Sequence, residues 1–336
     1  MKWFFLSLSI LSFQTWAVPE RNLQDLAKSE ILPYFEKTEF NEFAGEKDLR
    51  LQYKIFRGAK SKTVANKTLV IFNGRTEPMI KYAELIYDLR NEPFDIFIMD
   101  HRGQGYSERI NKDDSHMGYV ENFDFYVRDA KKFVEDVVKK NTNEAIHVLG
   151  HSMGGAIAAL YMERYPRDFA SATLSSPMID FYTKGIPRGI TSGMTGLLAL
   201  LGQGQKYAPG EKKFNQYADF DTNNLTTSFH RFANNNILEV EYPATVVRGP
   251  SVRWVQQSLK YCKTAMKNAY LVETPVLLLQ AGSDTIVKNK AQDKFCSQVP
   301  NCRKVTYAAA KHEILQEQDV IRDQAIGEMK KFILRQ

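Results

Sequence analysis

The sequence predicts an α/β fold in which a mostly parallel central sheet is flanked by helices and interrupted by one helical insertion. Three observations predict it. From about residue 50 to Pro177, short β-branched and aromatic runs alternate with helical periodicity, the pattern of βαβ units and of a sheet covered on both faces. The rhythm breaks over 178–265, where Gly- and Asn-rich turns surround the apolar patch "GMTGLLALLG" and no clean strand is legible. It resumes at "TPVLLLQAGSD" and closes on a helical pattern. The expected organisation is a leader at 1–17, a first core part at 18–177, a helical cap at 178–265 and a second core part at 266–336.

The elements follow in order. Met1-Lys2, an apolar run and the ending "QTWAVPE" fit a secretory signal peptide cleaved before Val18, with Thr15 and Ala17 at the −3 and −1 positions. The apolar run is too short to span a bilayer, which takes about 20 residues. Export to the periplasm or beyond is therefore expected. A polar, partly helical segment leads to "RLQYKIFR", whose alternation suits a strand with one solvated face. "TLVIFNG", "FDIFIMD", "AIHVLG" and "SATLSSP" read as buried parallel strands. Helical spacing fills the intervals in "MIKYAELIYDLRNE", "NFDFYVRDAKKFVEDVVKKN" and "GGAIAALYMERYP", the last stopped by Pro166. After the insertion come the strand "VLLLQ", the helical "NKAQDKFCSQV", the strand "KVTYAAA" and a helix from about Asp319 to Arg335.

The chain has 336 residues, 43% of them hydrophobic and 25% charged, and a net charge of +6, the balance of an ordinary globular protein. No basic run interleaves with aromatics, so nucleic acid is not an expected partner. "DHRGQGYSER" has two glycines but lacks the third glycine and helix start of a dinucleotide site, and there is no P-loop lysine. It reads as a structural turn, and no nucleotide or redox cofactor is implied. The three cysteines form no CxxC pair and HExxH is absent, so no metal site is expected. In an exported chain Cys296 and Cys302 could close the short loop "SQVPN", with Cys262 free or replacing one of them.

The chemistry centres on "IHVLGHSMGGAIAALY". Gly-x-Ser-x-Gly is weak alone, but here a strand precedes it and a helix follows. That is the context of a nucleophile elbow, where glycines let the backbone crowd around Ser152. A serine needs a base, and the base needs an acid to hold its tautomer. The expected chain order is Ser, acid, His. His101, His116, His147 and His151 come too early or adjoin the serine, and His230 lies in the insertion, leaving His312. Asp284 follows "VLLLQAGS" and so sits at the carboxyl end of a strand, on the same sheet edge as the elbow. Asp293 and Asp180 are its rivals. The oxyanion donors are expected to be the backbone N–H groups of Met153 and of Arg75, the latter in the loop "VIFNGRTEP".

With these residues in place, the chain resembles the serine α/β-hydrolases of the monoacylglycerol lipase and lysophospholipase group. The matching segments are "GRTEPMIKYAELIYDL", "DHRGQGYSER", "GHSMGGAIAALY", "VRGPSVRWVQQS", "TPVLLLQAGSD" and "HEIL". The resemblance implies an α/β-hydrolase fold, a Ser152–His312–Asp284 triad, a cap over an acyl pocket, and release of a fatty acid from a lysophospholipid or monoacylglycerol. Where many members have His-Gly at the oxyanion loop, this chain has Asn73-Gly74, which leaves that loop's geometry open. Arg248, Arg253 and Trp254 are candidates to meet the substrate, the arginines through a lipid phosphate. The patch Met194–Leu201 could line the acyl tunnel or touch a bilayer; a buried cap helix is the favoured reading. A serine aminopeptidase or small-ester esterase is the alternative on the same fold, and a catalytically inactive binding module the alternative from another class.

Overall fold

The computed structural model describes residues 17–60, 66–211 and 219–336; apart from Ala17, the expected leader lies outside the described residues. Eight strands form one sheet: β1 (Asn41–Ala44), β2 (Arg50–Phe56), β3 (Lys67–Phe72), β4 (Phe94–Met99), β5 (Ile146–His151), β6 (Ser171–Ser175), β7 (Val276–Ala281) and β8 (Cys302–Tyr307). Their spatial order is β1-β2-β4-β3-β5-β6-β7-β8. The β1–β2 and β2–β4 pairs are antiparallel, and every pair from β4 through to β8 is parallel. β1 was not expected. Its sequence "NEFA" is mostly exposed and pairs only with β2, so it carries no apolar run to announce it.

The period of two along the strands divides the core in two. Val70, Phe72, Phe97, Val148, Leu174 and Leu278 face the elbow helix, Met153–Arg164. Leu69, Ile71, Ile96, Leu149, Leu277 and Leu279 face the closing helix, Asp319–Leu334, and the N-terminal helical segment. β5, β6 and β7 are buried along their whole length, as strands covered on both faces must be. This arrangement sends the loops after β3, β5, β7 and β8 to one edge of the sheet, the carboxyl edge, where open α/β sheets bind their ligands.

Among the described residues three α-helices rise over that edge between residues 178 and 268: Arg188–Leu200, Phe229–Glu241 and Val252–Asn268. The last runs through the expected cap boundary at 265 and packs against the elbow helix. Ser228 and Ser251 cap the second and third, their hydroxyls accepting the N–H groups of Arg231 and Trp254. The second cap helix is tied to the core by the buried Arg231, which pairs with Glu84 at 2.9 Å and Asp319 at 2.8 Å. The first cap helix departs from the expectation of a buried helix. It packs on the third through its small face, Thr191, Thr195 and Ala199 being buried, which leaves Ile190, Leu197 and Leu200 turned outward, Leu200 being 86% exposed. Cys296 and Cys302 are joined as a disulfide between a helix and β8, and the buried Cys262 is free. Among the described residues no helix is long and apolar enough to cross a membrane.

Candidate active site

Ser152 stands between β5 and the elbow helix with φ 50° and ψ −114°, a conformation costly for a residue with a side chain. Three hydrogen bonds hold it there. Its N–H donates to the Ser175 carbonyl at 3.0 Å, and its own carbonyl accepts the N–H groups of Met178 at 2.8 Å and Ala156 at 3.1 Å. The flanking glycines make the turn sterically possible: a Cβ on Gly154 would stand 1.9 Å from the Phe72 carbonyl oxygen, and one on Gly150 2.8 Å from that of Gly154.

The same sheet edge brings up the candidate base and acid. His312, in the loop after β8, has Nε2 2.9 Å from the Ser152 hydroxyl and Nδ1 2.7 Å from Asp284 Oδ2. Since a carboxylate can only accept, Nδ1 carries the proton and Nε2 is left to accept from the serine. Asp284, in the turn after β7, takes the Ile286 and Val287 N–H groups on its other oxygen at 2.8 and 3.0 Å. Burial pushes its carboxyl up, but the His312 hydrogen bond and charge, with these two N–H groups, outweigh burial and hold it below the usual carboxylate range. The rivals are engaged elsewhere. Asp180 is paired with Arg188 and Lys288, and Asp293 with Lys304 and Gln280.

Met153 is the first residue of the elbow helix, and Arg75 lies in the turn after β3. Among the described residues neither backbone N–H bonds a protein group, and both residues adjoin Ser152 or the cavity over it. The turn is held from beneath. The Gly74 N–H donates to Glu77 Oε2 at 2.7 Å, and Asn73 Nδ2 donates to the Glu77 carbonyl at 2.6 Å and to Asp100 Oδ1 at 3.1 Å. The departure at Asn73 thus serves as a buried clamp. Gln104, from "DHRGQGYSER", adds a bond from Nε2 to the Gly74 carbonyl at 2.8 Å. That motif is a turn with Gly103 and Gly105 at positive φ, and Gly105 lies against Asp100, where a Cβ would meet the carboxylate at 2.1 Å.

Sequence reasoning missed the layer under these loops. Lys81 bridges Glu77 at 2.8 Å and Glu313 at 2.6 Å, and the Tyr82 hydroxyl donates to Glu77 at 2.7 Å. Burial alone would neutralise Glu77; the Lys81 charge and the hydrogen bonds from Lys81 and Tyr82 overcome it and hold the carboxyl far below its ordinary value. His151, pulled down to about 4 chiefly by burial, is neutral at pH 7 despite standing 3.6 Å from Glu77. Glu77, His151 and Glu313 place their ligand atoms within 4.8 Å of one another, spacing a metal ion could use, but the Lys81 ammonium already bridges the two carboxylates. The Glu77–Lys81 spacing was legible as an i,i+4 pair; its closure through Glu313 spans the whole fold.

Above the serine lies a cavity of about 630 Å³, walled by the Arg75 turn, His312 and the cap. Arg248 and Trp254 line it; Arg253 does not, since its guanidinium turns to Gln256 at 3.0 Å and lies against Gly204. That candidate is withdrawn: on the third cap helix it precedes Trp254 by one residue and so faces elsewhere.

Against known proteins, the family model described as "Serine aminopeptidase, S33" (Hydrolase_4) matches residues 63–319. The chain belongs to this family. Probable lysophospholipase L2 of Haemophilus influenzae is 33% identical over 316 residues, which cover 94% of this chain and 98% of that one. Lysophospholipase L2 of Escherichia coli K12 is 31% identical over 337 residues, 95% and 94% of the two chains. A soluble variant of monoglyceride lipase from Saccharomyces cerevisiae, solved with a substrate analogue, superposes with a TM-score of 0.69 at 19% identity, covering 88% of this chain and 94% of its own, a likeness of fold. The fold is that of the α/β-hydrolases, and with relatives of this kind the Hydrolase_4 chain is a serine ester hydrolase.

Proposed function

We propose that the protein releases a fatty acid from a lysophospholipid or monoacylglycerol through an acyl-enzyme on Ser152. The observation that carries the reading is the hydrogen-bonded chain Ser152–His312–Asp284 on the floor of the capped cavity. His312 takes the serine proton as the hydroxyl attacks the ester carbonyl, and Asp284 stabilises the imidazolium. The Arg75 and Met153 N–H groups receive the oxyanion. The imidazolium protonates the departing alcohol, and His312 then activates the water that frees the acid.

The name of the family raises the peptide reading, in which a carboxylate would hold the substrate's free amine. The acids that line the cavity favour the ester instead. Glu77 and Glu313 are paired with Lys81, Glu211 with Lys184, and Glu239 with Arg248, so each already has a cation. Hydrolysis of lysophosphatidylcholine, monoacylglycerol and an aminoacyl-anilide, measured side by side, tests this. The lipids are expected to be cleaved at least 100-fold faster (about 2.7 kcal/mol of transition-state preference), and preference for the anilide would overturn it.

Peripheral membrane contact belongs to the same reading and is supported by the exposed Ile190, Leu197 and Leu200 on the helix whose Thr191, Met194 and Thr195 line the cavity. So does export with cleavage before Val18. The buried Val18 donates its N–H to Asp88 Oδ1 at 2.8 Å, so a terminal ammonium created there would meet a carboxylate. N-terminal sequencing of the protein recovered from its host is expected to begin at Val18.

A further inference from the structure

Among the described residues four flexible cationic side chains line the cavity, and three are neutralised. Lys81 has Glu77 and Glu313, Lys184 has Glu211 at 2.7 Å, and Arg248 has Glu239 at 2.9 Å. Arg75 differs: no carboxylate lies within 4.0 Å of its guanidinium among the described residues. The carboxylate that acts most on it, Glu211, is the acid already held by Lys184. Burial lowers the Arg75 pKa, the mark of a charge that lacks full compensation. Yet the side chain is fixed in place. Nη1 donates to the Arg248 carbonyl at 2.8 Å, and the guanidinium stands over the Trp254 ring, 5.2 Å from its centroid. A planar fork with most of its five donors unspent, held rigid in a substrate cavity, is built to take a two-oxygen anion.

We propose that the Arg75 side chain is the subsite for the headgroup phosphate of a lysophospholipid, and that it sets the preference between phosphodiester-bearing and neutral esters. The inference rests on the lysophospholipase reading of the site given above. Covalent geometry supports it. The path from an sn-1 ester carbonyl carbon through glycerol to phosphorus has as many bonds as the path from the Arg75 backbone nitrogen to its Cζ. A substrate whose carbonyl oxygen lies at the Arg75 N–H can therefore set its phosphate at the guanidinium of the same residue. The two arginines picked out in the sequence do not compete for this role: Arg248 offers a carbonyl and is charge-paired, and Arg253 points away.

The test compares kcat/KM for 1-acyl lysophosphatidylcholine and 1-monoacylglycerol of the same acyl chain, in the same mixed micelles, for the wild type, Arg75→Met and Arg75→Lys. Arg75→Met is expected to lower the lysophospholipid-to-monoacylglycerol ratio roughly 10- to 100-fold, the loss of one charge-assisted hydrogen-bonded contact. The change is expected mainly in KM, with partial recovery in Arg75→Lys. Activity on the neutral ester reports any disturbance of the oxyanion turn, so an equal loss on both esters, ratio unchanged, overturns the proposal. A second measurement needs no variant. Glycerophosphocholine is expected to inhibit monoacylglycerol hydrolysis by the wild type competitively, and inorganic phosphate to do so far more weakly. Inhibition by inorganic phosphate alone would make the subsite one for free phosphate and overturn the headgroup assignment. A wild type that labels at Ser152 but cleaves neither lipid would instead remove the functional reading itself.

Discussion

At the scale of single residues, the site pairs Lys81, Lys184 and Arg248 with carboxylates and, among the described residues, leaves the Arg75 guanidinium without one. Asp284 is needed ionised beneath His312, and its depressed pKa keeps it so at all pH values above the ordinary carboxylate range. The stability it contributes is present above its unfolded pKa of about 3.9 and is lost as pH falls through the lower folded value. Asp284→Asn is expected to leave the fold intact by circular dichroism and to cut kcat about 10⁴-fold, because the amide favours the wrong histidine tautomer. His151 loses stability in the same direction, as pH falls, but for another reason: burial penalises its charged form. Its folded pKa of about 4 lies below the unfolded value of about 6.5. As pH falls from 6.5 the unfolded chain takes a proton first, so stability is lost towards pH 4 and the full penalty applies below it. Ring-carbon NMR titration is expected to show His151 neutral from pH 8 to 5; a midpoint near 6.5 would mean that its burial beside Glu77 is misjudged.

At the scale of elements, the elbow and the two loops beside it act as one clamp. Gly154→Ala must move the Phe72 carbonyl, since the new methyl would stand 1.9 Å from it, and two packed strands hold that carbonyl in place. A loss of roughly 3 kcal/mol or more in denaturant unfolding is expected, the size usual for overpacking against immovable backbone. Glu77→Gln removes the charge that Lys81 and the Gly74 N–H share, and is expected to lower kcat more than it raises KM through a loosened oxyanion turn. What was legible in the sequence follows the same division. β3, β4, β5 and β7 announce themselves because strands covered on both faces are continuous apolar runs. Ser152 and Asp284 were legible because each follows such a run, which sends it to one sheet edge; His312 follows the mostly exposed β8 and was legible only by elimination among the histidines. β1 was silent because "NEFA" has nothing to bury. The Lys81–Glu313 bridge and the Arg75–Trp254 stack were also silent, because each joins residues more than 170 positions apart. The first cap helix was read as buried because its periodicity shows an apolar side without saying whether anything covers it.

At the scale of the molecule, a fixed core carries a cap tied down on one side and open in character on the other. The segment 223–228 is bonded to the loop of His312: the Glu313 N–H donates to the Leu225 carbonyl at 2.8 Å, and the Thr226 hydroxyl to that of Gln316 at 2.6 Å. Among the described residues the first cap helix has no such anchorage on its outer side. Leu197→Ser with Leu200→Ser is therefore expected to weaken the affinity for anionic vesicles, read by sedimentation, roughly 30-fold or more, about 1–2 kcal/mol of lost apolar burial per side chain being at stake. Undiminished binding by the double variant would place the membrane contact elsewhere. The catalytic expectations depend on one bond being formed at one atom. Peptide mapping by mass spectrometry after reaction of the folded protein with a fluorophosphonate tests that bond directly. The account predicts a single adduct on the peptide carrying Ser152, absent from Ser152→Ala and strongly slowed in His312→Gln; no adduct on folded protein, or one on another serine, would contradict it.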